Sequence, residues 1–424
     1  MSDINNEFGL TDKICFTVTD SGSNFIKAFK HFGIDNEEAI SIDPKETDDM
    51  EYHELDNILH PPVTDEDDDQ IVYKLPQHWK CAFHALNLVA ATDCQKIDGM
   101  LKRVSVQTFA KLTALWNKQN RSVAASEKIL TALGSLLITP GETRWNSMYD
   151  AMAKVNNFLT SPATETEFDK LCDDMDILRL QPAQKTFVSE YVVVMKPVCC
   201  GLDVLQGDKD VGLGHLLPTL TIMKNELNKM RDKEPPLTLC QPLVQLLLNG
   251  IEKRFEHIFN SSEAQLAAVV HPKFKLYWVD DEDEKRKLTD ILKRRAQSVT
   301  PELAIQSVNA VDACTCSAST DILTTGSTDF FAALTAKRLR CTTETDNSVT
   351  DEIHKYLSDT SSELSSLTVY PRIRKLYIST NTGLPASAAV ERLFSLGGRV
   401  FSPLRSRLSS EHFKMMVFLR LAKW

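Results

Sequence analysis

Two carboxylates stand where a chain could put them to chemical use. Asp20 follows the run Ile14-Cys15-Phe16-Thr17-Val18-Thr19, whose alternating and β-branched residues predict a strand, and it opens the turn Asp20-Ser21-Gly22-Ser23-Asn24 ahead of a helix expected from about Phe25. The sheet fixes the backbone at such a strand end while the side chain faces the open crevice, which suits a divalent ion; a turn or capping aspartate is the other reading. Glu391 comes 371 positions later (391 − 20), in Pro385-Ala386-Ser387-Ala388-Ala389-Val390-Glu391-Arg392-Leu393-Phe394-Ser395. Pro385 sets a boundary, Ser387 caps, and the Gly397-Gly398 pair ends one short helix. Val390, Leu393 and Phe394 then share a face, with Glu391 about 100° away as a first-turn acid at the positive end of the helix dipole.

Two further groups carry chemistry by type. Cys81 and His84 fall in the first turn of a helix predicted from Ala82 through Leu86 and Val89. A Cys-x-x-His pair supplies two zinc ligands of four, but no second pair with ligand spacing lies nearby, so packing on the helix is the expected role. In Pro140-Gly141-Glu142-Thr143-Arg144-Trp145-Asn146-Ser147, the Pro-Gly turn and a Thr143 cap start a helix at Trp145. As structure Trp145 is an aromatic anchor of that helix.

The elements around these residues are mostly helical. Phe109, Leu112, Leu115 and Trp116 repeat at helix spacing, and residues 148–297 read as apolar-periodic helices over Val192–Leu205, His215–Met230 and Pro242–Phe259. His271, before Pro272, reads as a turn residue. Two stretches break the pattern: 35–74, with Asp65-Glu66-Asp67-Asp68-Asp69, is an acidic loop, and 298–350 is a Ser/Thr-rich linker. The last helix, from about Ser410, carries Phe413, Met416, Val417, Phe418, Leu421 and Trp424. So broad an apolar face needs cover, and part of it is expected to meet Val390, Leu393 and Phe394.

Of the 424 residues, 42% are hydrophobic and 25% charged, as in soluble globular chains. There is no apolar run long enough to span a bilayer and the N-terminus lacks a signal-peptide pattern, so an intracellular protein with no membrane partner is expected. The ten scattered cysteines read as reduced thiols. The net charge of −10 disfavours nucleic-acid binding by the whole surface, yet Tyr370–Trp424 holds ten Lys or Arg against two acids, a local +8. A basic end on an acidic body is either a solvated face or one that meets phosphate or an acidic partner.

Four motifs, in order, give the chain a family likeness. Thr19-Asp20-Ser21-Gly22-Ser23-Asn24, Cys81-Ala82-Phe83-His84-Ala85-Leu86-Asn87-Leu88, Thr143-Arg144-Trp145-Asn146-Ser147 and Ser387-Ala388-Ala389-Val390-Glu391-Arg392-Leu393-Phe394-Ser395 resemble blocks of hAT-superfamily (hobo/Activator type) DNA transposases. Pro272-Lys273-Phe274-Lys275 resembles another, with Lys273 in place of the family's Arg. The resemblance spans roughly residues 13–424. It implies an α+β, mainly α fold: a partial RNase H-like core (1–34 and 75–147) interrupted by a large all-helical insertion (148–297), with a C-terminal dimerisation and core-completing block (351–424).

By the same resemblance Asp20 and Glu391 are the second and third acids of a metal triad, and Arg144 and Trp145 lie near the DNA; Arg399, Arg405 and Arg407 of the basic end are either solvated or face DNA. Val390, Leu393, Phe394, Phe413, Met416, Val417, Phe418 and Leu421 would form the homodimer. The family's first aspartate, first strands and BED zinc finger find no match in the sequence. The expectation is therefore a transposase-derived nuclear protein, catalytically incomplete, acting through dimerisation and DNA contact, with no small-molecule substrate. The alternative is a fragment of an active transposase, for which Mg2+ or Mn2+ would be the cofactor.

Overall fold

Apolar residues at three- and four-residue spacing, punctuated by caps, make this chain mainly helical with few strands. The computed structural model describes residues 6–7, 9–10, 14, 16–20, 22, 28–29, 77–141, 145–207, 211–299, 349–401 and 407–421. Its described strands are β1 (Phe16–Thr19) and β2 (Gln77–Lys80); its described helices are α1 (Ala82–Ala91), α2 (Gly99–Arg121), α3 (Val123–Leu133), α4 (Trp145–Leu159), α5 (Pro162–Asp174), α6 (Pro182–Leu205) and α7 (Leu216–Arg231), then α8 (Gln241–Phe259), α9 (Ser262–Val269), α10 (Glu282–Ser298), α11 (Val349–Ser358), α12 (Pro371–Asn381), α13 (Ala388–Val400) and α14 (Ser410–Leu421). The acidic loop between β1 and β2 lies outside the described residues, as does nearly all of the Ser/Thr-rich linker between α10 and α11.

Local chemistry sets many of the boundaries. The Ser122 hydroxyl accepts from Ala125 N–H to start α3, and Gly134, at φ +69°, ends it in a left-handed turn that only glycine adopts freely. Ser161 caps α5 ahead of Pro162, and Asp281 caps α10, whose first turn is Glu282-Asp283-Glu284. The Glu190 carboxylate, on α6, accepts from the backbone N–H groups of Thr238, Leu239 and Cys240 at 2.7, 2.9 and 2.8 Å, which seats the start of α8 against α6.

One continuous core runs from Trp79 to Leu376. Leu86 and Val89 of α1, Met152 and Val155 of α4, Phe187, Val194, Val198 and Leu202 of α6, Leu217, Leu220 and Met223 of α7, and Leu247 and Ile251 of α8 are all buried in it. Each large side chain so enclosed stabilises the fold by ~1.5–3 kcal/mol. The segment after the linker completes this core by adding Tyr356, Ile373 and Leu376. Polar bonds fix its register: Tyr356 O–H donates to Val269 O at 3.0 Å, Asn381 Nδ2 donates to Ala267 O at 3.0 Å, and Asn381 Oδ1 accepts from Gly214 N–H at 2.8 Å. A Cβ at Gly214 would strike Ala267 O and Asn381 Oδ1, so the close approach needs glycine.

The strands β1 and β2 pair in parallel, Phe16 opposite Gln77 through Thr19 opposite Lys80. A strand at 77–80 is absent from the sequence expectation, because Gln-His-Trp-Lys shows no apolar alternation. The helix at Gly397 is a second departure. A glycine pair was expected to end it, yet α13 continues to Val400, and Gly397 is buried beneath the ring of Phe413, where a Cβ would lie 3.2 Å from the ring carbon. The glycine is there for helix packing rather than termination.

Candidate functional site

The strand ends, the first turn of α1 and the first turn of α13 meet at one junction. Asp20 follows β1, is exposed, and accepts Gly22 N–H through Oδ1 at 3.1 Å, the turn role foreseen for it. Thr19 Oγ1 lies 2.7 Å from His78 Nε2 on the neighbouring strand, and burial, then the charge of Lys80, lowers the pKa of that imidazole. The Thr19 carbonyl accepts Cys81 N–H at 2.7 Å, tying β1 to the residue that opens α1. Cys81 is 1% exposed and caps α1, its Sγ accepting His84 N–H at 3.4 Å.

The far end of the chain closes onto the same cysteine. Pro385 O accepts Ala82 N–H at 2.9 Å, and Ser387 N–H reaches Cys81 Sγ at 3.3 Å. Ser387 Oγ lies 3.2 Å from that sulfur and 2.9 Å from Glu391 Oε1. Ser387 thus occupies the cap position of α13 without capping it through its side chain, a correction to the sequence reading. Its hydroxyl is taken by the sulfur and the carboxylate. Cys81, Ala386 and Ala388 form a small core of their own, flanked by Val18 and Phe83, and only small side chains let the two segments come this near. Gly383 lies on the ring of Phe16, with no room for a Cβ.

One residue further along α13, a second chain of bonds begins. Arg392 Nη1 donates to Gln206 O at 3.1 Å; Gln206 Nε2 and Asn146 Nδ2 both donate to Asp203 Oδ1, at 2.7 and 2.6 Å. Asn146 lies in the first turn of α4, directly after Trp145. Desolvation raises the pKa of Asp203, and desolvation followed by the Asp203 charge raises that of Asp150. The first turns of α4 and α13 are therefore joined through the C-terminal end of α6.

The described residues bring Asp20, Cys81, His84, Asn146, Glu391 and Arg392 into this connected region. Glu391 and Arg399 are exposed on α13 and Arg407 is exposed ahead of α14. Arg144, Arg405, Trp424 and the side chain of Trp145 lie outside the described residues. Among the described residues no three His, Cys, Asp or Glu side chains are grouped to hold a metal ion, and Asp20 and Glu391 each already accept an internal bond. Those two carboxylates alone do not fit a two-metal site, which needs more ligands and a bridging one.

The expected apolar face is present but arranged differently. Val390, Leu393 and Phe394 are 49%, 38% and 71% exposed. The two helices meet through Phe413, which sits on Gly397 and edge-on to Phe401 at 6.0 Å and 84°. Met416 and Val417 are half-buried, while Phe418, Leu419 and Leu421 are open, together with Phe401 and Met415, which the sequence reading omitted from the face. Gln206, Asp203 and the Pro385 carbonyl were also missed. Nothing in their local sequence marks them, since their role comes from what they meet.

A scan of the chain against protein-family models finds no match, and a search of curated proteins finds none either.

Proposed function

We propose that this chain is a hAT transposase-derived nuclear protein, catalytically incomplete, that acts as a homodimer in contact with DNA, with a partial RNase H-like core interrupted by its helical region. The observation that carries the reading is the meeting of motifs spread over most of the sequence: Thr19-Asp20, Cys81, Asn146 and Glu391-Arg392 are linked by hydrogen bonds at adjoining strand and helix ends. Residues brought together from such separations point to a shared site, because packing alone has no need for four polar motifs at one place. A parallel strand pair with a carboxylate at its end, running into a helix, also suits a piece of an RNase H-like sheet.

The C-terminal hairpin supports the remainder of the reading. Phe394 on α13, Phe401 just after it and Phe418 on α14 are each more than half exposed, with Arg399, Arg407, Lys414 and Arg420 exposed in the same region of the chain. A monomer rarely leaves so much aromatic surface open, and cations beside it match phosphate.

The test is fluorescence anisotropy with duplex DNA across a salt series, run on the intact chain and on an Arg399→Ala, Arg407→Ala variant. Removing two phosphate-facing cations should flatten the slope of log K against log salt by about 2 and weaken binding alike on every sequence. No binding by the intact protein at low salt would remove DNA from the proposal. Labelled DNA incubated with Mg2+ or Mn2+ decides the active alternative: nicking that vanishes in both Asp20→Ala and Glu391→Ala would overturn catalytic incompleteness.

A further inference from the structure

The contact of Cys81, Ser387 and Glu391 raises a question of proton supply. Ser387 Oγ is 3.2 Å from Cys81 Sγ and 2.9 Å from Glu391 Oε1, both within hydrogen-bond reach. A hydroxyl has one proton and two lone pairs, so it donates to one neighbour and accepts from the other. An ionised carboxylate only accepts, and a bond to it is the stronger of the two choices, so the hydroxyl proton serves Glu391. The sulfur contact is then a bond only when the thiol supplies the proton. The rest of the sulfur's surroundings agree: His84 N–H at 3.4 Å and Ser387 N–H at 3.3 Å occupy its lone pairs, which leaves S–H free to point at Ser387 Oγ.

We infer that Cys81 is a positioning residue for Glu391: its S–H donates to Ser387 Oγ, and the Ser387 O–H donates to Glu391 Oε1. A thiol sealed beneath the strand end thereby orients an exposed carboxylate, holding one oxygen and leaving the other for solvent or a ligand. A metal-bound cysteine is a thiolate with no proton to give, so the same count excludes Cys81 as a metal ligand while the relay is made.

Infrared spectroscopy of the full chain reads the S–H stretch directly. The Cys81 band is assigned as the one lost in Cys81→Ser. It should move to higher frequency in Ser387→Ala, which removes the acceptor, and keep its place in Ser387→Thr, which retains a hydroxyl. A wild-type spectrum with no Cys81 S–H band, or a band that stays put in Ser387→Ala, would overturn the relay. Hydrogen exchange gives a second readout: in Cys81→Ala the two N–H groups that face sulfur lose their acceptor, and the amides of Ser387–Glu391 should exchange roughly 10-fold faster or more. Cys81→Ser should restore protection. Wild-type exchange in Cys81→Ala would count equally against the role.

Discussion

Acid should loosen this protein through one buried imidazole. His215 is 5% exposed, its ring edge-on to His271 at 4.7 Å and to Phe274 at 4.9 Å, and its Nδ1 accepts Gly212 N–H at 3.3 Å. Burial, then the nearby Lys273 charge, holds its pKa down to about 4 from the ordinary 6.5. An unfolded chain takes up the proton near pH 6.5, so between 6.5 and 4 the unfolded state binds more protons than the folded one, and stability falls as pH falls. The whole shift corresponds to about 3 kcal/mol, of which about 2 kcal/mol is lost by pH 5. Urea unfolding at pH 7 and pH 5 measures it, with His215→Asn as the control, since an amide oxygen can take the place of Nδ1 without titrating. His78 and His257 have lowered pKa values too, mainly through burial, so the wild type alone would overstate the effect. The difference between wild type and variant should therefore shrink by about 2 kcal/mol on going from pH 7 to pH 5. Equal pH dependence in the two proteins would refute a buried neutral His215.

Further substitutions test the packing and the dimer. Glu190→Ala orphans the N–H groups of Thr238, Leu239 and Cys240, and with partial solvent access it should cost about 2 kcal/mol in chemical unfolding, against less for Glu190→Gln. Gly383→Ala puts a methyl into the ring of Phe16 and should lower the melting temperature, with Phe16→Ala restoring part of the loss; additive losses would show that the two residues do not touch. Phe418→Asp with Leu421→Asp should convert a dimer to a monomer in light scattering without changing the circular dichroism, and a folded wild-type monomer at micromolar concentration would remove the dimer from the proposal.

Much of the helical architecture was legible in the chain itself. A helix repeats its environment every three to four residues, so Phe109, Leu112, Leu115 and Trp116 announce α2, and Val192–Leu205 lies wholly within α6. Turn signals are equally local: α4 begins at Trp145, shortly after the Pro-Gly turn, and Asp20 follows β1 as its turn residues require. Three readings failed where the deciding partner lay far away in sequence. Short β2 carries no alternation of its own and exists because β1 pairs with it. Gly397 looks like a helix end until Phe413 is seen lying on it. Ser387 looks like a cap until Cys81, 306 positions away, and Glu391 claim its hydroxyl. Sequence alone determined which residues could cap, pack or donate, because those properties belong to a residue and its nearest neighbours. The tertiary structure decided which of them meet: hydrogen bonds are made at about 3 Å and depend on direction, so a shift of one helical turn would have left Cys81, Ser387 and Glu391 as three unrelated side chains.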